Sequence, residues 1–304
     1  MAPDTVSTSS AKRKPLPRPA RSGKSLGQHF LRDEAALERI VRAVDLTPDD
    51  PVLEIGPGLG ALTKLLCRDA LRVTAVEVDP RFEPPLRKLC EAFPNLDLIF
   101  ADFLRLDLAD LLARAFGPVR GVVAANIPYY ISTAILERLL ASTSEWRRTV
   151  LLVQREFAAR MAAAPGGKEY GALSVFVQFT THAELHGVVP RTAFQPAPEV
   201  DSQIVTLTPH TARAVPVEHE TLFFHVVRAA FGQRRKTLLN ALVRAPASFG
   251  LGLALDDRDE CASILAAAGI DGLRRGETLS IAEFALLTQA FLAAGRPIES
   301  DVPR

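Results

Sequence analysis

Long apolar runs are absent from this 304-residue chain. A membrane-spanning helix needs about 18 or more consecutive apolar residues, and with none present no span is expected. The N-terminus has no apolar signal core, which argues against secretion. Cysteine is scarce: Cys67, Cys90 and Cys261 are scattered, with no paired or metal-type spacing. They read as reduced, buried thiols, and a cytoplasmic location is the expectation. No HExxH motif or Cys/His set occurs, so no metal is expected; His182 and His186 would make half a metal site only on a helix. An excess of one charge is missing too. The net charge is +1, so bulk charge announces no polyanionic partner.

What is present is material for a core. Hydrophobic residues make up 48% of the chain, enough for a full α/β unit and a smaller second one. Charge is unevenly placed. Within residues 1–32 lie Lys12, Arg13, Lys14, Arg18, Arg21, Lys24 and Arg32, against the single acid Asp4. A second basic knot is Arg234-Arg235-Lys236. Such runs are either solvated surface or contacts for phosphate.

Residues 1–22 are rich in Ser, Pro and Lys/Arg and are expected to be a disordered basic tail. Apolar spacing predicts a helix over 31–44, then strands at 51–55, 72–78, 96–100, 121–125 and 149–153. Helices are expected between them at 61–67, 81–92 and 132–140, and a further one over 154–164. The run 172–180 is apolar without a clear period, and late strands are expected at 183–189 and 202–208. Strands alternating with helices mean a mostly parallel sheet covered on both faces. After residue 209 the pattern turns purely helical, at 222–231, 234–243, 258–268 and 281–293. The expected partition is a tail 1–22, an α/β domain 23–208, a linker 209–217 and a small all-α domain 218–304.

EIGPGLGALT follows the first long strand and opens a helix, so Gly56, Gly58 and Gly60 let backbone approach a ligand. Such loops serve nicotinamide enzymes, flavoproteins and methyltransferases alike. The spacing is GxGxG rather than the dinucleotide GxGxxG, which favours a compact nucleoside. Glu77 ends the next strand, where a carboxylate can accept from a ribose diol. Asp102 follows the third and suits an amino group on a purine, or equally a turn or helix cap. Asn126 follows the fourth, in NIPYYIS. Its amide oxygen and the Ile127 carbonyl could accept from an exocyclic amine while the Tyr129 ring stacks on a base. Taken alone, the same residues could be a strand-ending turn with a core tyrosine.

These pieces together resemble the ribosomal RNA adenine N6,N6-dimethyltransferase family. The resemblance is carried by GQHFLRD at 27–33, EIGPGLGALT at 54–63, VEVD at 76–79, AD at 101–102 and NIPYYIS at 126–132. It continues in YGALSV at 170–175, FQPAPEVDS at 194–202 and AAFGQRRKTLLNAL at 229–242, the last being more particular to the small-subunit enzymes. It implies a Rossmann-like, S-adenosylmethionine-dependent methyltransferase sheet with a small C-terminal all-α domain that binds rRNA. It also implies cofactor contacts from His29, Leu31, Gly56, Glu77, Asp102 and Asn126. Asn126 and Tyr129 would hold the target adenine, and Phe194 would stack on its other side. The implied reaction is two methylations of N6 on each of two adjacent adenosines near the 3′ end of small-subunit rRNA. The implied partner is a pre-30S-like particle, with the enzyme a monomer away from any membrane. The chain departs from the family at His29, where asparagine is usual, and at Tyr130, where asparagine follows the NLPY motif.

Three other functions use overlapping residues. A large-subunit rRNA or DNA adenine methyltransferase would share the cofactor and NIPY residues, but AAFGQRRKTL argues against it. A nicotinamide oxidoreductase lacks its fingerprint. A non-catalytic ribosome-assembly factor would use the pocket only to sense maturation.

Overall fold

The computed structural model describes residues 28–233, 235–245 and 257–295. The basic tail and Arg234 lie outside these. Phe30–Leu31 form a two-residue strand, β1. Asp33 then accepts the Ala36 amide at 2.7 Å and starts Glu34–Val44, α1. The helix thus begins three residues later than apolar spacing from 31 predicts, because Leu31 is paired in a strand and Asp33 is the cap.

The alternation follows: Pro51–Ile55 (β2), Ala61–Asp69 (α2), Arg72–Glu77 (β3), Glu83–Ala92 (α3), Leu96–Phe100 (β4), Leu108–Phe116 (α4), Gly121–Asn126 (β5), Ser132–Leu140 (α5), Trp146–Gln154 (β6) and Arg155–Met161 (α6). Pro84 and Pro85 sit in the first turn of α3, where the missing amides cost nothing. Apolar spacing assigns nothing to 108–116, yet Asp107 caps α4 there through the Asp110 amide at 3.0 Å. Helix α6 is shorter than the 154–164 expected.

The apolar run Ala172–Thr180 is a helix, α7. Its lack of period has a physical cause. Leu173 and Val177 face the sheet core, while Val175 and Phe179 face the helical unit, so the helix is buried on two sides. Thr181–Val189 (β7), Phe194–Gln195 (β8) and Ser202–Pro209 (β9) complete the strands. Glu220–Gly232 (α8), Leu238–Val243 (α9), Arg258–Ala267 (α10) and Ile281–Ala293 (α11) follow. The helix expected over 234–243 is only α9. The Leu238 amide donates to Arg274 O at 2.6 Å and Lys236 N closes a turn on Gln233 O at 2.9 Å, so Arg235 and Lys236 lie exposed in a turn.

The seven-stranded sheet has the order β4-β3-β2-β5-β6-β9-β7. The strands from β4 to β6 run parallel, and β9 and β7 are antiparallel additions. Chain order runs outward from β2 through β3 to β4 on one side and from β5 to β6 on the other. The crevice beyond the ends of those two strands is the usual ligand position in such a sheet. Leu53 and Ile55 of β2 point into one apolar layer and Val52 into the other, so both faces are covered. The helices α8 to α11 share a third apolar cluster with Tyr170, Val175 and Phe179. The Tyr170 hydroxyl donates to Leu279 O at 2.9 Å, and Gly166 N to Glu277 O at 2.7 Å, so the segment before α7 is stitched to the helical unit. Cys67 and Cys261 are buried free thiols, whereas Cys90 is only half-buried. Among the described residues no helix is long and apolar enough to cross a membrane.

Candidate active site

Ile55 pairs with Ala125, so the residues that follow, Gly56 and Asn126, leave adjacent strands side by side. That register joins the glycine loop to the NIPY segment at one cavity of ≈ 750 Å³, within the roughly 300–1,000 Å³ of small-ligand sites. His29, Leu31, Gly56, Glu77, Asp102, Asn126, Tyr129 and Phe194 all line it, whereas Gly60 of the loop does not.

The loop is built for close approach. Gly56 has φ +73°, and a side chain there would meet no protein atom within 4 Å. Gly60 starts α2 at φ +82°, and an added Cβ would lie 2.3 Å from a Leu89 methyl. Both backbone geometries disfavour any residue with a side chain.

Glu77 is buried at 4% exposure. Its Oε2 accepts the Gly58 amide at 2.9 Å and its Oε1 the Asp79 amide at 2.8 Å. Burial pushes its carboxyl up, and these backbone amides work against that push. Asp79, also buried, is bonded by Arg81 and by Gln28 Nε2 at 3.0 Å; the Arg81 guanidinium holds its carboxyl down at about 2. Gln28 thereby ties the start of the described chain to the end of the third-strand turn. Asp102 caps a short turn through the Leu104 amide at 3.0 Å and pairs with Arg105 at 3.4 Å, yet also lines the cavity. Asp102 is therefore a turn cap that also borders the cavity.

Asn126 is assigned with Nδ2 toward His29 O at 3.5 Å, which leaves Oδ1 to accept from a ligand. The Tyr129 hydroxyl bonds the Ser202 hydroxyl at 2.7 Å, and the His29 ring lies against the Tyr129 ring with centroids 5.9 Å apart. His29 donates from Nδ1 to Pro196 O at 2.9 Å. Leu31 and Phe194 face each other across the β1–β8 pair, and Phe194 is only 4% exposed. Tyr130 is 62% exposed at the cavity mouth. His182 and His186 sit on a strand rather than a helix, with His186 bonded to Thr206 at 2.7 Å.

Sequence reasoning missed four contributors: Glu54, Gln28, Asp79 and Ser202. All four are letters of the GQHFLRD, EIGPGLGALT, VEVD and FQPAPEVDS motifs, and Gln28 and Ser202 find their partners 51 and 73 positions away. Glu54 is 2% exposed, its Oε2 has no hydrogen-bond partner among the described residues, and burial pushes its carboxyl up to about 8. The unfolded carboxyl ionises near 4.5 while the folded one keeps its proton to about 8. Stability of the ligand-free protein should therefore fall as pH rises through that window, by up to roughly 5 kcal/mol from this group. Glu54→Gln should lack that slope. Urea midpoints of both proteins between pH 5 and 9 check this, and parallel curves would refute it.

The cavity suits S-adenosylmethionine. Carboxyls at Glu77 and Asp102 line the space for a cation-bearing nucleoside, and the open space before Gly56 is a cradle that a Cβ would fill.

Comparison with known proteins agrees. A model of the family described as "Ribosomal RNA adenine dimethylase" matches residues 20–285. "Ribosomal RNA small subunit methyltransferase A" of Pelotomaculum thermopropionicum is 47% identical over 280 residues, covering 90% of this chain and 92% of that protein. The protein of the same name from Geobacillus thermodenitrificans is 45% identical over 270 residues, covering 88% and 90%. Among solved structures, a dimethyladenosine transferase from Plasmodium falciparum superposes with TM-score 0.74 at 27% identity, covering 89% of this chain and 100% of that one. The 23S rRNA methyltransferase ErmE superposes with TM-score 0.63 at 28% identity, covering 86% and 99%. The strand-end site and these likenesses lead to one conclusion: the chain belongs to the ribosomal RNA adenine dimethylase family of S-adenosylmethionine-dependent methyltransferases.

Proposed function

We propose that this protein dimethylates N6 of two adjacent adenosines near the 3′ end of small-subunit rRNA, acting in the cytoplasm as a monomer on a maturing small subunit. The observation that carries the reading is the register of β2 against β5, which puts the Asn126 amide beside the glycine loop. When bound, S-adenosylmethionine supplies an electrophilic methyl group on a sulfonium. Glu77, Asp102 and the loop at Gly56 would hold it, with His29 and Leu31 along one wall.

The protein's own task is to present a poor nucleophile. The N6 lone pair of adenine is shared with its ring. Asn126 Oδ1 and the Ile127 carbonyl would accept the N6 hydrogens and steady the positive charge that grows on nitrogen, as fixed dipoles do best in a water-poor site. Tyr129 would stack on the base, which must leave any helical stack to reach it. Phe194 would contribute from the cavity wall, and its burial means that it also packs the layer behind. Held nitrogen and methyl in line, the reaction needs no covalent enzyme intermediate. The proton leaves N6 for water after transfer.

Exposed Arg235 and Lys236, in the turn before α9, would contact rRNA backbone. The basic tail would do likewise, but it lies outside the described residues.

The test is incubation of undermethylated small subunits with labelled S-adenosylmethionine, followed by mass spectrometry of rRNA fragments. Two adjacent dimethyladenosines near the 3′ end are expected. Label confined to large subunits, or none in RNA, would overturn the reading.

A further inference from the structure

Tyr129 is held at two points. Its hydroxyl lies 2.7 Å from that of Ser202, and the His29 ring covers it with planes inclined by 26°. Ser202 is fully buried and opens β9, where it faces Gln154 of β6 on one side and Val189 of β7 on the other. The neighbouring Asp201 is pinned as well. Its carboxylate accepts the Arg191 amide at 2.9 Å, and its carbonyl accepts the Arg155 amide at 3.0 Å. The serine hydroxyl is therefore a post set in the sheet, not on a loop. The sheet's antiparallel half, which makes no part of the glycine loop, thus touches the tyrosine at the cavity wall through the Ser202 hydroxyl.

We propose that Ser202 is a positioning residue: its hydroxyl fixes the Tyr129 ring as an immobile platform for the target adenine. The inference rests on the adenine reading of the site. Burial raises the Tyr129 phenol, so it stays protonated and acts through its ring and its bond to Ser202. A base sandwiched between two rings needs about 7 Å, twice a carbon–carbon contact. The separation from His29 is 5.9 Å, so the base takes the face that His29 leaves. A ring free to turn about its side-chain bonds would present that face only part of the time.

The experiment uses the full chain with Ser202→Ala, Tyr129→Phe and the double variant. Each single variant should lower kcat on undermethylated small subunits by roughly 5–20-fold, the scale of a modest misplacement of a reacting group. The double variant should be no slower than the slower single one, because both remove the same bond. Affinity for S-adenosylmethionine, by calorimetry, should stay unchanged, which a general loss of structure would not allow. An oligonucleotide with 2-aminopurine in place of the target adenine should be quenched by the wild type and less by Ser202→Ala. Additive losses in the double variant, or wild-type kcat and quenching in Ser202→Ala, would overturn the proposal. Should Ser202→Ala fold poorly, Tyr129→Phe, altered at a half-buried position, carries the same decision alone. A wild type inactive on small subunits sinks the functional reading instead, and an active wild type with an unchanged variant sinks only the positioning role.

Discussion

Asn126→Ala is expected to lower the methylation rate by roughly 10²–10³-fold, the range for removing one preorganised group aimed at developing charge. The residue ends β5 beside the glycine loop, and its side-chain oxygen is the acceptor proposed for the target amine. Its weak 3.5 Å bond to His29 O is too small a part of the fold to change stability much. Cofactor affinity should fall less than about tenfold, near 1.4 kcal/mol. Single-turnover rates with small subunits, set beside calorimetry, separate the two effects. A variant retaining more than a tenth of the rate would mean that another group grips the amine.

Glu77→Ala should weaken S-adenosylmethionine binding by about 100-fold or more, or roughly 2.7 kcal/mol. Two losses combine. The ribose would lose its carboxylate acceptor, and the Gly58 and Asp79 amides would lose the partner that shapes the loop around the ligand. Each buried amide left without an acceptor costs about 1–3 kcal/mol, so the melting temperature should also drop. Calorimetry at a temperature where circular dichroism still shows the native fold isolates the binding loss. Affinity within threefold of wild type would remove Glu77 from the cofactor site.

Much of the fold can be read from spacing because the chemistry-bearing residues sit where apolar strands stop. PVLEI, RVTAVE and GVVAAN each end at the sheet's ligand edge, and their order alone places Gly56, Glu77 and Asn126 together. What escapes is non-local. Strand β1 is two residues long and exists only by pairing with β8, far along the chain. Helix α7 hides its period because both its sides are buried. Glu54 looks like one polar letter in a strand, and nothing in VLEIG reveals that its Oε2 is buried without a partner among the described residues. Ser202 is placed by the sheet, and its contact with Tyr129 spans 73 positions of sequence. The basic knot is legible as charge, but the turn that holds Arg235 and Lys236 is not, since Lys236 N bonds back to Gln233 O and the next helix is anchored by the Leu238 amide on Arg274 O.

The shared cluster of Tyr170, Val175 and Phe179 with α8 to α11 bears on how the protein can be cut. A fragment ending at residue 209 would keep these large side chains and lose what covers them. Burying such side chains is worth about 1.5–3 kcal/mol each, so the excised sheet unit would be short of stability and sticky in solution. Producing the catalytic half by itself calls for polar replacements at Val175 and Phe179, or for keeping the helices attached.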